Sequence, residues 1–153
     1  MLKYLIVLTI GLIAFGCTDE GPDFLPRQTI PVYSAEQLLR AGTDQNLYFI
    51  GDQITISLYN GSDSIIYIPT CAGQISYYIQ MDLKGSWQDT GANGLPCIGF
   101  NHMGTITIPP GRTYRYTDYI VHFGQYRFRY PVTIGQSDET VWLYTNDFEV
   151  NGQ

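Results

Sequence analysis

Gly124-Gln-Tyr-Arg-Phe-Arg-Tyr130 alternates aromatic and charged residues without a break. A strand sends successive side chains to opposite faces, so Tyr126, Phe128 and Tyr130 share one face and Arg127 and Arg129 the other. A helical period of 3.6 residues would mix the two sets. The same two-residue period governs the run from Gln53, where Ile54, Ile56 and Leu58 oppose Thr55, Ser57 and Tyr59.

Turn signals bound further short runs on both sides. Asn60-Gly-Ser-Asp63 precedes Ser64 to Ile68, a run from Gln74 to Leu83 follows Pro69, and Lys84-Gly-Ser86 leads into Trp87. Thr105 to Ile108, the Pro109-Pro-Gly111 turn, Thr113 to Tyr119 and Thr140 to Val150 complete the series, the last with a bulge near Asn146. Asp89 to Met103, rich in Gly and Asn, reads as an irregular loop. Ser34-Ala-Glu-Gln37 has the form of a capping box and, with Leu38, Leu39 and Gly42, predicts one or two helical turns. About seven or eight strands with hardly any helical periodicity predict an all-β antiparallel sandwich over 52–153, with 33–51 as its lead-in.

The first residues have a different purpose. Lys3 precedes an uncharged, mostly aliphatic run from Tyr4 to Phe15, the layout of a secretory signal. The run is shorter than the roughly 20 residues that span a bilayer. Ala14 and Gly16 suit ordinary signal cleavage, which would leave Cys17 as a free terminal thiol. Cys17 directly after a small residue also resembles a bacterial lipobox, although Ala14 stands where an aliphatic is usual and Phe15 is bulkier than the common residue. That resemblance implies a signal peptide over 1–16, an acylated Cys17 and a tether over 17–32. Asp19, Glu20 and Asp23 resemble the acidic export signals of surface lipoproteins in the Bacteroidetes. The implied location is the bacterial cell envelope, anchored to the outer membrane on its surface or periplasmic face.

Removing 16 of 153 residues leaves 137, the size of one domain with a sizeable core. Taking Lys3 from 8 basic residues leaves 7 against 14 acidic ones, a formal charge of −7. That balance argues against nucleic acid, whose binding needs clustered Lys and Arg. With Cys17 assigned to lipid, Cys71 and Cys97 are most simply a disulfide in an oxidising compartment. Two free thiols, or a metal site with His102, are the alternatives, and no C-x-x-C spacing supports zinc.

The segments ITIPPGRTYRY, GQYRFRY and TNDFEV together resemble the C-terminal half of bacterial immunoglobulin-like domains of exported lipoproteins. The resemblance covers Asp52 to Val150 and implies an immunoglobulin-like sandwich with a tyrosine corner at Tyr126, whose phenol would bond back to the backbone. Losing that bond in Tyr126→Phe would cost about 1 kcal/mol or more. Phe128 stands where an inter-sheet cysteine would be, so Cys71 and Cys97 are expected to pin the Asp89 to Met103 loop instead.

No nucleophile elbow, Walker loop, dinucleotide fingerprint or zinc-protease helix occurs, and His102 and His122 have no nucleophile identifiable beside them. Neither a cofactor nor a metal is implied. Asp147 and Glu149 share a strand face but read as solvated. Tyr77, Tyr78, Tyr114, Tyr116, Tyr119, Tyr126, Tyr130 and Tyr144 exceed what one core needs, which suggests either good strand formers or an exposed aromatic patch with a ligand. Tyr114 and Tyr116, with Arg112, Arg115, Arg127 and Arg129, form the candidate binding set. Asp63-Ser64-Ile65 resembles an O-glycosylation acceptor of exported Bacteroidetes proteins, and Asn60-Gly-Ser62 matches an N-glycosylation sequon. The expected function is a non-enzymatic, membrane-tethered binding or assembly module for an envelope protein or glycan. An inhibitor or immunity lipoprotein acting through the 89–103 loop is the alternative, and an envelope hydrolase comes third.

Overall fold

The computed structural model describes residues 38–97 and 103–152. The signal, Cys17, the tether, the capping box and His102 lie outside them. The strands are β1 Leu39–Thr43, β2 Leu47–Phe49, β3 Gln53–Asn60, β4 Ile66–Cys71, β5 Gln74–Ile75, β6 Tyr77–Asp82, β7 Trp87–Asn93, β8 Met103–Ile108, β9 Thr113–Tyr119, β10 Gly124–Ile134, β11 Thr140–Tyr144 and β12 Phe148–Asn151. They form an all-β sandwich of a three-stranded sheet, β1-β3-β9, and a nine-stranded sheet organised on β10. Within the larger sheet β10 pairs β12 and β11 along one side and β6 and β4 along the other.

The two runs of strict alternation supply the facing layers. Ile54, Ile56 and Leu58 of β3 and Tyr126, Phe128, Tyr130 and Val132 of β10 are all buried. Each such side chain contributes about 1.5–3 kcal/mol when removed from water. Phe128 meets Tyr77 edge-on at 5.3 Å between ring centroids, and Phe148 at 5.3 Å from another side. Arg127 and Arg129 face outward, as the alternation requires.

Three expectations are corrected. Leu39 to Gly42 is strand, not helix: β1 pairs β3 from Leu39↔Asn60 to Thr43↔Ile56. Two isolated turns of helix carry the full nucleation cost, whereas an edge strand gains a hydrogen-bonded ladder and buries Leu39. The sandwich therefore takes in strands ahead of Asp52. In the supposed irregular loop, Asp89 to Asn93 belongs to β7 and Met103 to β8. Thr140 to Val150 is broken rather than bulged, because Asn146 leaves the ladder: its Oδ1 accepts the Thr43 N–H at 2.8 Å and its Nδ2 donates to Asn46 Oδ1 at 2.8 Å.

Cys71 and Cys97 form a disulfide. It ties the end of β4 to the segment leaving β7, so it joins parts of one sheet rather than bridging the two layers. Gly94 makes the approach feasible. Its φ is 63°, and a Cβ there would stand 2.8 Å from the Cys71 Cβ and from Ser76 Oγ.

Tyr126 is buried near the start of β10, and its hydroxyl lies 3.4 Å from the Phe123 carbonyl oxygen. That is long for an O–H···O bond. Tyr126→Phe is accordingly expected to cost less than about 1 kcal/mol, read as a midpoint shift in urea unfolding, and a larger loss would require a shorter bond in solution.

Candidate functional site

β9 is an edge of the smaller sheet, and its inward side differs from an ordinary core face. Opposite the buried Ile54, Ile56 and Leu58 of β3 it places Asp118, Tyr116 and Tyr114 in register. Tyr77 from β6, Gln74 from β5 and Asn93 at the end of β7 meet this edge from the larger sheet. With Tyr119 they wall an open cleft of about 530 Å³. The ring centroids of Tyr114 and Tyr116 are 6.2 Å apart and those of Tyr116 and Tyr77 6.0 Å, tilted by 34° and 35°, so three rings stand in a row.

At the back of the row the Tyr116 and Tyr130 hydroxyls share a 2.6 Å hydrogen bond between the sheets. Burial pushes both phenols well above their ordinary range, which keeps them neutral at physiological pH. Asp118 is the exception to the pattern. Its Oδ1 accepts the Tyr119 N–H at 2.7 Å, while Oδ2 is buried with no partner among the described residues. Desolvation raises its pKa, and the Tyr119 N–H only partly opposes that. Past Tyr119 a second, apolar pocket of about 390 Å³ is lined by Ile79, Met81, Ile120, His122, Phe123 and Tyr126. Val121 and Phe123 are 63% and 71% exposed beside it.

No protein-family profile matches this sequence, and no curated protein does. Solved structures offer distant likenesses. A β-glucosidase from Listeria innocua in complex with gluconolactone is 12% identical over 74% of this chain and 16% of its own, with a TM-score of 0.30. The sporulation control protein Spo0M from Bacillus subtilis is 10% identical over 75% of this chain and 48% of its own, with a TM-score of 0.34. The chain thus spans less than half of either, and similarities at this level carry nothing about its activity.

The structure divides the residues that the sequence grouped. Tyr114 and Tyr116 enter the cleft. Arg112 is exposed in the turn before β9, and Arg115 lies on the outer face of the smaller sheet, with Nε donating to Ser57 Oγ at 3.3 Å. Arg127 and Arg129 stand on the outer face of the larger sheet in a separate ladder. The Arg127 guanidinium lies 4.3 Å from the Trp87 ring centroid and 4.7 Å from that of Tyr144. The Arg129 guanidinium lies 4.1 Å from Trp142 and 4.8 Å from Tyr78. Gln80 accepts from Arg127 Nε at 2.8 Å and donates to Asp89 at 2.8 Å, and Asp89 accepts from Arg129 at 2.8 Å. Contact with aromatic faces and this relay hold both cations, although the ion pair itself is exposed enough to add little.

Sequence reasoning counted Tyr77 among the surplus tyrosines but passed over Asp118 and Asn93 in the cleft, and Trp87, Gln80, Asp89 and Trp142 in the ladder. Asp118 alone had a local signal: it follows Tyr114 and Tyr116 in phase. Asn60, read as a sequon, is fully buried and holds its turn, with Nδ2 donating to the Ser64 and Ile108 carbonyls at 2.8 Å each. Ser64 is half-buried in the same turn, its Oγ 3.3 Å from Asp63 Oδ1. Among the described residues no three His, Cys, Asp or Glu side chains cluster closely enough to hold a metal ion.

Proposed function

We propose that this chain is an exported, lipid-anchored binding module with an immunoglobulin-like sandwich, and that it holds an envelope protein or glycan in the cleft between β9 and β5–β7. The observation that carries this reading is the row of Tyr77, Tyr116 and Tyr114 beside an open, mostly polar cleft of about 530 Å³. Tyrosine offers a flat apolar face with a polar tip, the combination favoured where a ligand must be stacked and oriented. The tether rests on the lipobox resemblance at Cys17 and on the spacer that follows it. More than one acyl chain is needed to hold a protein stably in a bilayer.

Cys17→Ser is expected to block processing and release the protein from the membrane fraction. A mutant still cleaved after Gly16 and still membrane-bound would remove the anchor from the proposal. Crosslinking from intact cells and a glycan array with the wild type, Tyr114→Ala and Arg127→Ala test the site. Tyr114→Ala should weaken capture by about tenfold or more, the scale of a central aromatic contact, while Arg127→Ala should leave it intact. The reverse result would move the site to the arginine ladder. Loss on replacing 98–102 with an equal-length Gly-Ser segment, which keeps the Cys71–Cys97 bridge, while Tyr114→Ala still captures, would favour the inhibitor reading. Turnover of an envelope polymer by the purified protein, abolished by one Asp or Glu substitution, would replace both with an enzyme.

A further inference from the structure

Among the described residues only Arg129 has a carboxylate partner, and each oxygen of that carboxylate is already engaged. Asp89 accepts from Arg129 Nη2 on Oδ2 and from Gln80 Nε2 on Oδ1, both at 2.8 Å. Arg127 is left with a charge that no acid among the described residues neutralises. Its Nε donates to Gln80 Oε1 at 2.8 Å, and its guanidinium stands against the Trp87 and Tyr144 rings. These contacts fix the plane of the group in advance, so it has little rotamer freedom left to lose on binding. The two Nη atoms are the part not used. Neither donates to a described residue, and neither is shut off from solvent.

We propose that Arg127 seats the carboxylate of an acidic sugar, a uronic acid residue of a glycan, on the outer face of the larger sheet. A planar carboxylate takes two parallel N–H···O bonds from the open end of a guanidinium. A single negative charge also suits the rest of the molecule. The formal charge of −6 opposes a phosphate group or a run of acidic side chains more strongly than it opposes one carboxylate. What stands beside the fork favours a sugar. Trp142 and Tyr144 project from β11 on the same outer face, 40% and 39% exposed, and the flat apolar side of a pyranose suits such rings. In a uronic acid the carboxylate is fixed to that ring, whereas in Asp or Glu it ends a flexible stem. The seat is separate from the cleft, whose lining holds no arginine.

Trp87 and Trp142, the two tryptophans of the chain, both belong to this ladder, so intrinsic tryptophan fluorescence reports on it. The test titrates the full-length protein, at constant ionic strength, with methyl glucuronoside, methyl glucoside and N-acetylglutamate α-amide. The first two differ only in a carboxylate against a hydroxymethyl group. The glucuronoside should shift the emission saturably, and the glucoside should bind at least about tenfold more weakly, the scale of a charged hydrogen bond. The glutamate derivative, which lacks the ring, should also bind more weakly. Arg127→Lys keeps a cation but not the fork and should lose about tenfold, while Tyr114→Ala should bind as the wild type does. No saturable shift with the glucuronoside, or equal affinity for the glucoside, overturns the assignment in the wild type alone. Unchanged affinity in a folded Arg127→Lys overturns it as well. Loss in Tyr114→Ala would put the sugar in the cleft and not at Arg127. Glutamate binding as tightly as the glucuronoside would replace the sugar with an acidic peptide side chain.

Discussion

Phe128→Ala should destabilise the protein by about 3–5 kcal/mol, the range for truncating a fully buried aromatic. Phe128 has no exposed surface and sits where the two densest groups of rings meet. Tyr77 packs edge-on against it at 5.3 Å, continuing toward Tyr116 and Tyr130, and Phe148 packs at 5.3 Å, continuing toward Tyr48 and Tyr126. Removing the ring leaves a cavity bounded by side chains that are themselves fixed. The Phe128 N–H and carbonyl bond to Thr145 at 2.9 and 3.0 Å, so the backbone has little freedom to collapse inward. Such a loss is a large share of the roughly 5–15 kcal/mol that keeps a domain folded. Urea unfolding should show a much lower midpoint at unchanged slope. Phe128→Leu, which refills most of the volume, should cost less than about 1.5 kcal/mol. A loss below about 1 kcal/mol in the alanine variant would mean that the site relaxes and that the ring cluster is not the centre of the core.

Cys71→Ala/Cys97→Ala is expected to cost about 3.5 kcal/mol in the chain-entropy account, for a bridge spanning 26 residues. The loop it closes contains all of β5, β6 and β7, hence Tyr77, Asn93 and Gln74, half of the cleft wall. Opening it should therefore reach ligand capture as well as stability. Cys71 is buried, so the thiols of the native protein should alkylate only after denaturation and reduction together. Thiols that alkylate freely without reductant would show that the pair is not joined in solution. An unchanged midpoint in the double-alanine variant would show that the bridge restrains nothing the sheet does not already fix.

Much of this architecture follows from local rules. Alternation in Gln53 to Tyr59 and in Gly124 to Tyr130 marks strands and separates their faces, because the period of a strand is a property of the backbone itself. Lys84-Gly85-Ser86 is legible for the same reason: Lys84 and Gly85 adopt φ of 59° and 85° in the β6–β7 hairpin. Alternation says that Tyr114, Tyr116 and Asp118 share a face and that Arg115 opposes them. Which face meets the other sheet depends on where β9 sits, at an edge beside the bulk of β5–β7. The arginines illustrate the same limit. Arg115 and Arg127 look alike in sequence but stand on different sheets, and the rings that hold Arg127 and Arg129 come from β6, β7 and β11. β1 depends on its ladder with β3, and the break at Asn146 on contacts with Thr43, 103 residues away and too distant for any window of sequence. The sequence by itself determined β3, β10 and the turns and offered Cys71 with Cys97 as the simplest pair, since these obey period, chain stiffness and composition. Only the tertiary structure decided which tyrosines became core, which became cleft, and that a carboxylate oxygen with no partner among the described residues stands beside them, because burial and hydrogen bonding belong to the packed sheets and not to any one strand.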